Sequence, residues 1–298
     1  MPAPQVLEGP RCVWAAQAQL GEGTLWSVRE QALYWVDILG HRLHRYDPVS
    51  DDCRSWPFDE EISAVAERAQ GPGLLVSLRH ELAFFNPATG ELQRQHQPEP
   101  HLPGNRFNDG KCDAQGRFWA GTMDFACHDP TGSLYRYQGG DQCTRMHGGF
   151  AVTNGPTWSR DGCTLYFNDT VRGRVHAFDF DPVTGALSRP RLWLQLADGD
   201  GFPDGMTTDA QGRLWLARWG AACVTCHDPV SAEELARIHL PTSHITNCAF
   251  GGADLCTMFI TSAHTGLTPE QLAAQPLAGG LFAVRLDSPG RPAHLFAG

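Results

Sequence analysis

The feature that most constrains this chain is one short strand type that returns six times. Leu33-Tyr-Trp-Val36, Leu74-Leu-Val-Ser77, Phe118-Trp-Ala-Gly121, Leu165-Tyr-Phe-Asn168, Leu214-Trp-Leu-Ala217 and Met258-Phe-Ile-Thr261 follow at intervals of about 41 to 49 residues. A first strand and a polar turn precede each copy, most clearly at Asp113-Ala-Gln-Gly-Arg117 and Asp209-Ala-Gln-Gly-Arg213. A third strand follows, as at 42–46, 133–137 and 174–178, and then a less distinct fourth, as at 191–196 and 236–240. Four strands repeated six times predict an all-β chain, a six-bladed β-propeller of four-stranded antiparallel blades. The segment Arg11-Cys-Val-Trp-Ala15 stands before the first repeat. It is expected to complete the last blade, close the ring and remove its open sheet edges. One helix is expected, at Thr268-Pro-Glu-Gln-Leu-Ala-Ala-Gln275, with Thr as N-cap and Pro in the first turn, inserted within the last blade. No linker interrupts the pattern, so residues 1–298 are expected to form a single propeller domain.

Composition narrows the function. Charged residues make up 19% of the chain and hydrophobic ones 42%, which argues against disorder. The formal net charge is -10 with no run of Lys or Arg, so neither nucleic acid nor an anionic membrane surface is an expected partner. The stretch Met1-Pro-Ala-Pro-Gln5 lacks the pattern of a secretion signal and no apolar run could span a bilayer, so the expected location is cytoplasmic. The 10 cysteines are scattered, and the one close pair, Cys223 and Cys226, would point to opposite faces of a strand. They are read as reduced thiols, most of them packed as small apolar groups.

In a propeller the first strand of each blade lines the central axis, and residues leading into these strands converge at one mouth. Here those lead-ins are Gly21-Glu22-Gly23, Asn108-Asp109-Gly110, Thr153-Asn154-Gly155 and Pro203-Asp204-Gly205. Each sets a carboxylate or carboxamide beside a glycine that lets the backbone approach closely. One such turn would be ordinary turn chemistry; four at the same place in a repeat point to a site. Carboxylate and amide oxygens suit one divalent ion: Ca, Mg, Mn, or less readily Zn or Fe(II).

The phrases Leu20-Gly-Glu-Gly-Thr-Leu-Trp26, Asn105-Arg-Phe-Asn-Asp-Gly-Lys111, Trp119-Ala-Gly-Thr-Met123, Thr153-Asn-Gly-Pro156, Pro203-Asp-Gly-Met206, Leu214-Trp-Leu-Ala217 and Phe250-Gly-Gly252 carry a resemblance. In that order, over almost the whole chain, they resemble the SMP-30/gluconolactonase/regucalcin-like lactonases. The stretch from Gly266-Leu-Thr-Pro to Gly280-Leu-Phe282 is similar to bacterial members acting on pentonolactones, such as xylonolactonases. The resemblance implies a six-bladed propeller with metal ligands at Glu22, Asn154 and Asp204, and substrate contacts at Arg106 and Asn108. It implies no counterpart for the family's acidic contact after A-G-T-M, because Asp124 opens a short and differently composed loop.

A sugar lactone is a cyclic ester, and its hydrolysis passes through a tetrahedral oxyanion that a divalent ion could stabilise. Asp204 is the expected general base, and Arg106 with Asn108 would orient the substrate. The expected reaction opens an aldonolactone, of pentono or hexono size, to the aldonic acid. Two alternatives stand beside it: an ester or phosphotriester hydrolase on the same scaffold, and a calcium-binding propeller without turnover. His147 and His264 are read as surface residues, and Trp219 as either core or channel wall.

Overall fold

The computed structural model describes residues 1–298. The six repeats are six separate four-stranded antiparallel sheets, each built from consecutive strands. The first blade comprises Gly21–Ser27, Ala32–Asp37, Arg42–Asp47 and Asp52–Pro57. The third comprises Asn105–Cys112, Phe118–Asp124, Gly132–Tyr137 and Cys143–Phe150. In the sixth, Ile245–Gly251, Thr257–Ser262 and Leu281–Leu286 take Val6–Trp14 as their outermost strand. That strand from the start of the chain locks the ring as expected. The first strands of neighbouring blades touch in ring order, and that of the sixth returns to that of the first. The helix, Pro269–Ala274, has Thr268 as N-cap in a reciprocal capping box with Gln271, and lies between two strands of the last blade.

The hydrophobic core follows from this arrangement. A sheet of alternating strands has two apolar faces, and a blade can cover them only with its two neighbours. Six hydrophobic clusters result, one in each seam. Trp119 and Phe150 meet Phe167 and Phe178 between the third and fourth blades. Trp26 and Trp35 meet Phe259 where first and sixth close. Trp119 and Trp215 occupy one position of the recurring strand and Trp35 the next, and all are buried to 1% exposure or less.

The repeated D-A-Q-G-R turns are buried ion pairs. Asp113 Oδ1 accepts the amide protons of Gln115 and Arg117, while Oδ2 accepts from Arg117 Nε at 2.6 Å and Trp119 Nε1 at 2.8 Å. Asp209 repeats the pattern with Gln211, Arg213 and Trp215. Both turns lie at the mouth opposite the polar lead-ins, where the segment 289–297 crosses the ring. Ala210 N donates to Pro289 O, Arg291 Nη1 to Ser159 O, Ala69 N to Phe296 O and Ala297 N to Gly116 O, which ties this strap to the second, third, fourth and fifth blades. Phe296 is fully buried and stacks on Tyr137 at 5.5 Å.

All ten cysteines are free, but the expectation that most are packed as apolar groups is only partly met. Cys112, Cys223, Cys226 and Cys248 are buried, whereas Cys53, Cys127 and Cys163 are exposed in turns or on outer strands. Asp209→Ala would leave the buried Arg213 guanidinium and Trp215 Nε1 without their shared acceptor. It should lower unfolding free energy by about 3–5 kcal/mol in urea denaturation, far more than removal of a surface carboxylate.

Candidate active site

The polar lead-ins do converge, and a backbone irregularity is what aims them. In all six blades the pairing of first and second strands shifts register at the lead-in: between Glu22 and Leu25, Ile62 and Ala64, Phe107 and Gly110, Asn154 and Thr157, Pro203 and Met206, and Ile245 and Asn247. Such a bulge rotates a side chain out of the strict in-and-out alternation, here toward the axis. Glycine makes room. A Cβ on Gly205 would sit 2.8 Å from Asn247 Cα, and Gly155 holds φ at +74°. The Gly155 amide in turn donates to Asp109 Oδ2.

Glu22, Asn108, Asn154, Asp204 and Arg106, the five residues expected from sequence, form the floor of a cavity of about 430 Å³. All five are buried to 7% exposure or less. Glu22 and Asp204, from the first and fifth blades, stand close enough on the floor for each to shift the proton affinity of the other or to share a cation. Burial is the main reason that both hold a proton more tightly than usual. It pushes Glu22 up to about 8, helped by the charge of Asp109, and it pushes Asp204 well above the ordinary carboxylate range, helped by the charge of Glu22.

A network through the neighbouring blades fixes these groups. Asn108 Nδ2 donates to Asn154 Oδ1 at 3.0 Å, and Arg106 Nη1 donates to Asn108 Oδ1 at 2.7 Å. Asn154 Nδ2 donates to Thr170 Oγ1, whose proton goes to the carbonyl of Pro203. Asn168, part of a chance N-D-T sequence, is fully buried and donates its amide to the carbonyl of Asp204.

Three further residues belong to the site. Asn247 Nδ2 donates to Glu22 Oε2 at 2.8 Å across the closing seam, and Thr24 holds its oxygen. Asp109, beside the floor, is raised to about 6 by burial, an effect moderated by Lys111. Lys111 is the one lysine in the chain, and its Nζ donates to the carbonyl of Met206. Asp109 stood inside a recognised lead-in, but Asn247 is followed by Cys248 and gave no such signal. Asp124 turns away from the cavity and accepts the amide protons of Ala126, His128 and Asp129 in its own loop. Phe125 and Cys127 line the cavity in its stead. Trp219 is cavity wall, whereas His147 lies on an outer strand between Phe150 and Phe178.

No three His, Cys, Asp or Glu side chains form a ready-made chelate. The donors offered are hard oxygens: two carboxylates completed by carboxamide. Two buried carboxyl groups side by side on one floor concentrate negative charge, and a divalent ion suits that donor set.

The raised Glu22 value also sets a stability trend. Its proton is bound more tightly in the fold than in the unfolded chain, where the ordinary value is 4.5. The stability this gives is complete below that value and is lost as pH rises through about 8. Urea unfolding of metal-free protein should therefore show Glu22→Gln gaining on the unsubstituted chain between about pH 5 and 8. A gap that stays constant with pH would contradict the raised Glu22 value.

Comparison with known proteins agrees with this architecture. The L-arabinolactonase of Azospirillum brasilense is 36% identical over 94% of this chain and 92% of its own length. The 6-deoxy-6-sulfogluconolactonase of Pseudomonas putida is 37% identical over 97% and 98%. Among solved structures, a calcium-binding protein, regucalcin, from Agrobacterium tumefaciens covers 97% of both chains with a TM-score of 0.93 and 29% identity. Residues 20–264 match the SMP-30/Gluconolactonase/LRE-like region, and the chain belongs to that family.

Proposed function

We propose that this protein is a lactonase that opens a sugar lactone, an aldonolactone of pentono or hexono size, to its aldonic acid. Glu22, Asn154 and Asp204 would hold one divalent ion, with Ca, Mg and Mn favoured by the oxygen donors. The reading is for a single propeller domain acting in the cytoplasm on a small molecule. The observation that carries it is the pair of carboxyl groups, Glu22 and Asp204, buried with Arg106 on the floor of one cavity. The two lactonases above, similar over more than nine-tenths of the chain, support it.

When bound, the ion supplies polarisation of the ester carbonyl and charge stabilisation for the tetrahedral oxyanion. The chain's own residues do the rest. Asp204, in its ionised form, is the acceptor for a proton of the attacking water. The water oxygen bonds to the carbonyl carbon, the bond from that carbon to the ring oxygen breaks, and Asp204 returns the proton to the departing oxygen. Arg106 and Asn108, already bonded to each other, hold the lactone in register with that base. The new carboxylic acid then ionises in water.

Proton release from a panel of pentono- and hexonolactones, read against a blank without protein, tests the reading. Metal-stripped protein should fall to the blank and recover with one divalent ion. Asp204→Ala should lose activity by at least about a thousandfold, and Arg106→Ala should act mainly by raising KM. Blank rates in every sample would end the lactonase reading, and metal affinity without turnover would favour a calcium-binding propeller. A second measurement concerns the ion alone. Adding it to metal-free protein near pH 7 should release about one proton per site, and Glu22→Gln should reduce that release.

A further inference from the structure

The cavity has two unlike halves. Every carboxylate, carboxamide and guanidinium that lines it lies on the buried floor. Around the opening stand Phe125, Val171, Phe202 and Trp219, with Leu20 and Leu39 beside them. They come from turns and strand ends of the first, third, fourth and fifth blades. Phe125 is 40% exposed, Val171 46% and Phe202 45%. Large apolar groups exposed together at one opening cost solvation and signal a ligand. Two threonines also line the opening: the Thr170 hydroxyl is held between Asn154 and Pro203, and Thr265 stands beside Gly266 with its carbonyl taken by His244.

Trp219 gives this collar a rigid wall. It pairs with Phe202 across the strand ends, and its indole lies parallel to the His244 ring at 4.0 Å between centroids. His244 is anchored by Nδ1 to the carbonyl of Thr265, so one indole face is covered. Trp219 itself lines the cavity beside Gly266. Phe125 is held in turn by the hydrogen bond its amide donates to the carbonyl of Gly104 and by the Arg79 guanidinium 4.9 Å from its ring centre.

We infer that the collar selects sugar lactones whose far end is bare: a methyl-terminated deoxy lactone in preference to the parent with a terminal hydroxyl. The inference rests on the lactonase reading, because the floor fixes which end reacts and leaves the opposite end against the collar. A terminal methyl there is buried against Phe202 and Trp219. A terminal hydroxyl gives up its water and finds no carboxylate or carboxamide in return. The expected preference is about ten- to a hundredfold in kcat/KM.

The test uses matched pairs differing in that hydroxyl: L-rhamnonolactone against L-mannonolactone, and L-fuconolactone against L-galactonolactone. The deoxy member of each should be preferred, and Val171→Asn and Phe202→Ser should draw the ratio toward one. Both positions are half exposed, and unfolding midpoints will verify that the variants fold. Equal or reversed preference, or a ratio unmoved by both variants, overturns the inference. Calorimetric binding of the cyclic-ether analogues of the same sugars, which cannot be hydrolysed, repeats the comparison without turnover. Deoxy preference in binding with no hydrolysis of any lactone would end the lactonase reading and leave the collar standing. Equal affinities would overturn the collar whatever the enzyme does.

Discussion

Everything in this molecule depends on one packing constraint: a four-stranded sheet with two apolar faces needs a neighbour on each side. Six such sheets satisfy each other only in a ring, so the core becomes six seams around an axis. The axis is the one place where sheets present strand edges and bulges to one another, with no apolar face there to cover. Polar side chains can therefore gather there without breaking a hydrophobic cluster. The fold makes a polar centre inside an apolar shell, and the bulges decide which side chains occupy it.

That division of labour explains how acids come to be buried together. Glu22, Asp109 and Asp204 would each be costly inside a conventional core. Their tolerance here comes from Asn247 and the amides of Gly23, Gly110 and Gly155, which offer donors at short range. Where donors run short, burial raises proton affinity, as at Glu22 and Asp204. Lys111 reaches up from below the floor and moderates Asp109, but it leaves the pair of acids above uncompensated. A site prepared in this way has charge in deficit at a fixed place, which is what binding a cation requires.

Much of this was legible in the residues. The recurring Leu/Phe-Trp strand gave blade number and order because its spacing is set by the length of a four-stranded unit. The floor was readable wherever a polar residue precedes glycine, as at Glu22, Asn154 and Asp204, since the glycine is what permits close approach. Asn247 escaped because Cys248 follows it, although the same bulge presents it to the axis. The collar was invisible for a different reason. Phe125, Val171 and Phe202 lie in connections of unrelated sequence, so no repeat register shows that they share a mouth. Asp124, for which the resemblance implied no role in the site, is consumed by its own loop.

The strap at 289–297 has a kinetic consequence. Its residues Arg291, Pro292, Ala293 and His294 cover the far end of the axis, where only a pocket of about 100 Å³ remains. The ring is thus a cup with one doorway, and traffic through it is strictly alternating. A product acid must back out past the same aromatic rim before the next lactone can enter. Product and substrate are then mutually exclusive occupants, so accumulated acid slows turnover by competition alone, and abundant lactone relieves it.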